Sequence, residues 1–209
     1  MSKLNQLQQL YQELADQAAK LPLANSASDF VPGEGNPDAE IMFIGEAPGY
    51  HESVEHRPFV GKSGKFFRQT LAESAQISEK DIYISNVVKV RPPDNRDPSP
   101  AEIKAYKPFL DKEIGLIQPA IIVTLGRFSM AKFLPEVKIS QVHGRLHAVR
   151  WEGRRLFVLP TFHPAAALRN GRFRELFVQD LTKLPKVLAW VKDHESNFAL
   201  ADQVKATLL

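Results

Sequence analysis

The nine residues IMFIGEAPG, positions 41 to 49, decide the fold. Ile41 to Ile44 form a short apolar run, and Gly45, Pro48 and Gly49 end it in a turn, so the segment is a buried strand opening into a loop. Upstream, Asn25 to Asp38 is rich in Gly, Pro, Ser and Asn and delivers the chain to this strand as a loop. Further back, Leu4, Leu7, Tyr11, Leu14 and Ala18 fall at helical spacing between Lys3 and Ala19, and Pro22 follows as a stop. Downstream, a long loop leads to a helix over Ser63 to Gln76, a strand at Ile82 to Ser85, and a Pro-rich loop from Arg91 to Pro100.

The alternation then repeats. Ser99 and Glu102 have the spacing of a capping box that opens a helix to about Ile117, and Pro119 precedes the apolar run AIIVTLG. Val149 to Trp151 and Leu156 to Leu159 flank Glu152 and Gly153, a hairpin signal, and the second run feeds TFHPAAALRN. Leu176, Phe177, Leu181, Leu184, Leu188 and Val191 predict a closing helix that Pro185 bends or splits. Strands alternating with helices imply a mainly parallel α/β sheet with helices on both faces and ligands beyond the carboxyl ends of the strands. GEAPG, Asn86 and His163 all fall at such ends. A plain nucleotide binder shares this architecture, so fold alone selects no function.

Composition narrows the class. The chain has 209 residues, 44% hydrophobic and 24% charged, enough for one core. One domain over 1–209 is expected, with an N-terminal helix at 3–19, a main core at about 39–192 and a flexible C-terminal tail. A net charge of +3 permits an anionic partner without demanding one. No apolar stretch approaches the ~18 residues of a membrane span, and MSKLNQLQQL lacks the apolar core of a secretory signal. A soluble cytoplasmic monomer is expected, with no membrane partner. The absence of cysteine excludes disulfides and cysteine-held zinc or iron–sulfur centres.

Four stretches carry chemistry: GEAPGYHESVEHRPFVGKSG at 45–64, ISNVVKVRPPDNRDPSPAE at 84–102, PAIIVTLG at 119–126 and PTFHPAAALR at 160–169. In this order and spacing they resemble the motifs of the uracil-DNA glycosylase superfamily, most nearly its family 4. The resemblance implies a three-layer αβα fold around a central, mainly parallel four-stranded sheet. It also implies an enzyme that flips uracil out of single- or double-stranded DNA and hydrolyses its N-glycosidic bond, initiating base excision repair.

The resemblance assigns roles that elementary chemistry makes intelligible. A side-chain amide carries both donor and acceptor, so Asn86 suits the O4 and N3–H edge of uracil and mismatches cytosine. His163 matches the histidine that donates to uracil O2 as negative charge develops there, and Phe59 matches the aromatic ring that stacks on the extruded base. Glu46 and Glu52 match acidic positions that line the pocket, hold the attacking water or stabilise the cationic sugar. Ala47 belongs to the pocket wall, where some relatives carry aspartate. Ser63, Arg91, Asn95, Arg96, Arg169 and Arg172 are the expected DNA contacts, with backbone amides near Lys62 to Gly64. Taken singly, each has a plainer reading: a turn-capping asparagine, a structural histidine, one core phenylalanine among thirteen, a solvated arginine.

Two departures stand out. Family 4 holds a [4Fe–4S] cluster on four cysteines, and the matching positions here are Ala18, Leu21, Val90 and Tyr106, so no cofactor or metal is expected and the core should be repacked without one. Tyr50 and His51 replace part of the usual acidic run, which leaves the exclusion of thymine open. A glycosylase for hypoxanthine or xanthine, or a non-catalytic DNA- or lesion-binding module on the same fold, therefore remains an alternative. Covalent trapping of uracil is not expected, because VVKVRPPDNR lacks the added histidine of the trapping relatives.

Overall fold

A computed structural model describes residues 1–194. In chain order the elements are α1 (Lys3–Asp16), β1 (Glu34–Gly35), β2 (Ile41–Gly45), α2 (Tyr50–Glu55), α3 (Lys62–Thr70), β3 (Ile82–Asn86), α4 (Pro100–Ile117), β4 (Ile121–Leu125), α5 (Arg127–Ala131), α6 (Ile139–Val142), β5 (His147–Trp151), β6 (Arg154–Thr161), α7 (Pro164–Arg169), α8 (Gly171–Thr182) and a last helix over 184–194. The strands form one sheet in the order β1-β3-β2-β4-β6-β5. The inner four are parallel, as expected, and the two edge strands β1 and β5 run antiparallel, making six rather than four. The sequence hid β1 because two residues carry no periodicity.

Side-chain alternation explains the three layers. Met42 and Ile44 of β2, Tyr83 of β3 and Ile122 of β4 point to a face covered by α1 and α4. Ile41 and Phe43, Ile82 and Ile84, and Ile121 and Val123 point to the other, covered by α3, α8 and the last helix. Both faces are apolar, which is why these strands read as continuous hydrophobic runs. Leu4 departs from its expected place, being 53% exposed while Leu7, Leu10 and Leu14 are buried.

Local chemistry sets the boundaries. Ser99 accepts from the Glu102 N–H and Glu102 reaches back to the Ser99 N–H, so α4 begins at the predicted capping box. The helix predicted over 63–76 closes instead through one π-type turn at Leu71–Ala75, ending at Gln76 in the left-handed region. Glu152 and Gly153 both have positive φ, the two-residue turn suited to a hairpin, and β5 and β6 extend beyond the predicted runs. Pro185 splits the closing helix after Lys183. The expected tail falls largely at 195–209, outside the described residues. Among the described residues no helix is long and apolar enough to cross a membrane.

Chain order around β2 creates the site. From β2 the chain goes to β3 on one side and then to β4 on the other, so the crevice beyond the carboxyl end of β2 lies at a topological switch point. Glu46 leaves β2 there.

Candidate active site

A cavity of about 410 Å³ opens at this switch point, lined by Glu46, Ala47, Pro48, Gly49, Glu52 and Phe59 from the first loop, Asn86 from β3, and His163 and Arg169 from the loop after β6 and α7. Ser63, Asn95, Arg96 and Asp97 also line it. The three loops singled out in the sequence therefore converge. Arg91 and Arg172 are not among the lining residues.

Asn86 ends β3 in register with Gly45 and is 3% exposed, yet its Oδ1 has no hydrogen-bond partner among the described residues. Burying an unpaired amide oxygen costs about 1–3 kcal/mol, which a ligand in the cavity would recover. Gly45 makes the close approach possible. A Cβ there would collide with Asn86 Oδ1 and lie 2.5 Å from Phe59 Cζ. The loop leaving Asn86 is pinned to the first loop by Val87 N–H to Gly45 O at 3.1 Å and Val88 N–H to Glu46 O at 3.0 Å.

Phe59 is 5% exposed and adopts φ 57°, a region that phenylalanine rarely occupies. Its backbone is held from two sides. Arg68 donates to Phe59 O at 3.0 Å and to Pro58 O at 2.8 Å, and Gly64 lies so close that a side chain there would overlap the Phe59 carbonyl. The ring packs 5.3 Å from Phe67 and 6.1 Å from the His163 ring. Core packing and pocket lining are thus one role for Phe59.

His163 caps α7. Its Nδ1 accepts the Ala165 N–H at 3.2 Å, which places the ring proton on Nε2. Burial, followed by the Arg169 charge, lowers its pKa to about 4 against the opposing pull of Glu52, so the ring is a neutral donor at pH 7. Gly126, at φ 100°, leaves the room this ring needs, since a Cβ would sit 3.0 Å from His163 Cβ. Behind it, Phe162 is gripped between the His143 ring at 4.6 Å and the Phe173 ring at 4.5 Å.

The two glutamates differ. Glu46 is partly buried, and burial together with nearby Asp97 raises its pKa to about 7, with Arg127 opposing. Glu52 instead accepts Gly49 N–H at 3.1 Å on one oxygen, and Val60 N–H at 3.0 Å and Gly61 N–H at 2.8 Å on the other. Its carboxylate ties both ends of the first loop together. The sequence puts Glu46 ahead of Glu52 but gives both the same roles, because identical side chains in one motif carry no record of which amides face them. It also missed Asp97 and Arg127, which pair with each other beside Glu46 from segments 30 residues apart.

The expected DNA contacts fall into groups. Ser63, Asn95, Arg96 and Arg169 border the cavity, but Arg96 is engaged by Glu102 in a two-point contact at 2.6 and 2.9 Å. Arg91 lies beside the rim, donating from Nε to Asn95 Oδ1 at 2.8 Å. Arg172 is exposed near the start of α8. Tyr50 is 57% exposed at the start of α2 rather than in the cavity wall, so Gly49 and Pro48 form that wall instead.

Among the described residues no cluster of three His, Asp or Glu could hold a metal. The four positions matching the iron–sulfur ligands do converge. Ala18, Val90 and Tyr106 are buried in one cluster with Phe30, and Leu21 packs against it. Phe30 bridges to Val90 and meets the Tyr106 ring edge-on at 6.4 Å, while Tyr106 donates to Pro22 O at 2.6 Å. None of these side chains offers a thiolate, so the residues present do not fit such a cluster.

A recess with an unpaired amide, a neutral imidazole, an aromatic face and a perturbed carboxylate, rimmed by arginines at the switch point of an α/β sheet, defines a site that takes in a flat polar ring from an anionic strand. Comparison with known proteins makes the class particular. Residues 32–184 match the family described as the uracil DNA glycosylase superfamily, and the chain belongs to it. It is 41% identical over 186 residues to the type-4 uracil-DNA glycosylase of Sulfurisphaera tokodaii, covering 87% of this chain and 84% of that one. Identity is 44% over 164 residues to the Saccharolobus solfataricus enzyme, with 76% of each chain covered. The Thermotoga maritima type-4 enzyme is 39% identical over 180 residues, 85% of this chain and 93% of its own.

Proposed function

We propose that this protein is a monofunctional uracil-DNA glycosylase of the type-4 kind that works without an iron–sulfur cluster. The observation that carries the reading is buried Asn86, which lines a cavity with His163, Phe59 and Glu46 and whose Oδ1 has no partner among the described residues. In the reading, uracil rotates out of the strand and its ring stacks on Phe59. The Asn86 amide then donates to O4 and accepts from N3–H. As the bond between C1′ and N1 breaks, the electron pair moves onto the base and His163 Nε2–H strengthens its bond to O2. One such donor supplies about 2.7–4 kcal/mol of barrier lowering. Anionic Glu46 steadies the cationic sugar and orients a water, whose oxygen bonds to C1′ while its proton passes to the carboxylate.

Glu52 enters as a positioning residue, its oxygens already holding three backbone N–H groups. Ser63, Asn95 and Arg169 meet the strand nearest the base, with Arg91, Arg96 and Arg172 further out. Among the described residues no lysine lines the cavity, which supports hydrolysis to an abasic site rather than lysine-mediated strand cleavage. The apolar packing of Ala18, Leu21, Val90 and Tyr106 supports folding without a cluster. On this reading the protein acts as a monomer inside the cell, with the chromosome.

The test is single-turnover base release from matched uracil and hypoxanthine oligonucleotides by wild type, Asn86→Ala and His163→Ala. Release of free uracil by wild type, with each variant slowed about 10²–10³-fold, is expected. Equal rates in all three, release of hypoxanthine alone, or binding with no release would overturn it.

A further inference from the structure

Beside the cavity, one exposed aromatic ring is held where the strand must pass. Tyr50 follows Gly49, which lines the cavity, and is 57% exposed at the start of α2. The Arg91 guanidinium lies over its ring, 5.2 Å from the centroid, and the His51 ring meets it edge-on at 5.5 Å. Arg91 is fixed in turn, because its Nε donates to Asn95 Oδ1 at 2.8 Å and Asn95 lines the cavity. Arg91 makes no ion pair among the described residues. A scattered exposed tyrosine is ordinary. This one is oriented by a cation that no carboxylate among the described residues pairs with, one residue from the recess.

We infer that Tyr50 and Arg91 form a second nucleotide subsite, in which the Tyr50 ring stacks on the unflipped base next to the extruded one and Arg91 meets the intervening phosphate. The chemistry on the page selects a single-stranded or locally opened nucleotide. An aromatic face is indifferent to base identity and a guanidinium recognises phosphate, so the pair reads strand and not sequence. A neighbouring base still stacked in a duplex offers its face to its own neighbours, so the subsite favours uracil in unpaired DNA. The inference rests on the proposed excision reading, to which it adds a preference that Asn86 and His163 do not supply.

The experiment uses the full chain and single strands carrying 2′-fluoro-deoxyuridine, which resists cleavage, flanked on each side either by 2-aminopurine or by abasic residues. Fluorescence gives the quenching of the flanking base, and competition gives the affinity of each strand. Wild type should quench at least one flanking 2-aminopurine and bind the base-flanked strand about 5- to 150-fold more tightly than the abasic-flanked one, the scale of one base–aromatic stack. Tyr50→Ala should collapse that ratio toward one and abolish the quenching, Tyr50→Trp should restore both, and Arg91→Met should weaken both strands and flatten their salt dependence. Melting curves confirm that the variants fold. An unchanged ratio in Tyr50→Ala, or a ratio of one in wild type, overturns the subsite. A parallel wild-type assay on ordinary deoxyuridine keeps the two readings apart: lack of uracil release there rejects the excision reading while the affinity ratio still reports on the subsite.

Discussion

Ser85 and Asn86 are neighbours on β3 and equally buried, but their polar groups have opposite fates. Ser85 donates to Glu113 at 2.8 Å within a closed network. Fully buried Lys89 bridges Ser85 and Glu113, Tyr11 reaches Glu113 and Tyr83, and Gly33 N–H donates to Tyr11. One residue on, Asn86 lines the cavity and its Oδ1 has no partner among the described residues. Burial alone thus does not mark function. A buried polar group whose partners are all supplied by its own chain is architecture, and one left unpaired beside a cavity is waiting for a ligand.

The sharpest way to break this comparison is to open the closed network. Lys89→Met strands the Glu113 carboxylate in the core and should lower unfolding free energy by about 3–5 kcal/mol, with Lys89→Met/Glu113→Gln recovering most of it. Denaturant titration measures both. If Lys89→Met abolished base release with stability unchanged, the network would belong to the site and the contrast would fail.

Gly45→Ala tests the other side. Its Cβ displaces the Asn86 amide and the Phe59 ring together, and kcat/KM for uracil release should fall about 100-fold. The far smaller effect of Gly153→Ala would mark the loss as local, because open space surrounds that position, although its positive φ adds strain.

Glu46→Gln sharpens the comparison through pH. The carboxyl has a folded pKa near 7, above its ordinary 4.5, so between these values the folded state holds a proton that the unfolded state has lost. Stability from this group is intact below pH 4.5 and declines as pH rises through 7. The variant should therefore melt higher than wild type at pH 8 and equally at pH 4. Wild-type activity should rise through pH 7 as the carboxylate ionises, and that limb should vanish from the variant's residual rate. His163 has the opposite sign: its folded pKa near 4 lies below 6.5, so its contribution fades as pH falls from 6.5 toward 4.

The smallest effect concerns the repacked region. Tyr106→Phe removes one hydrogen bond to Pro22 O and should cost about 1 kcal/mol in unfolding, with base release unchanged. A large fall in activity would tie that cluster to the site.

Particular residues show how legible the chain was. The strands at 41–44, 82–85 and 120–126 were plain because burial on both faces leaves an unbroken apolar run. The capping box at Ser99 and the Glu152–Gly153 hairpin were local events with local signals. β1 escaped because its two residues, Glu34 and Gly35, carry no apolar periodicity. At the site, the motifs single out Glu46, Asn86 and His163, and the structure brings the three to one cavity. The separate duties of Glu46 and Glu52 were not, nor was Tyr50's place outside the wall.

What the sequence by itself determined is the order of strands and helices, the absence of any thiolate and the identity of the groups available for chemistry. Those depend on residue type and short-range spacing, which a linear string records in full. Only the tertiary structure decided which carboxylate is held by amides and which is pushed toward neutrality, which amide is left unpaired, and which tyrosine faces solvent under an arginine. Each of these depends on distance and dielectric between segments tens of residues apart, and such quantities exist only once the sheet has brought its strand ends together.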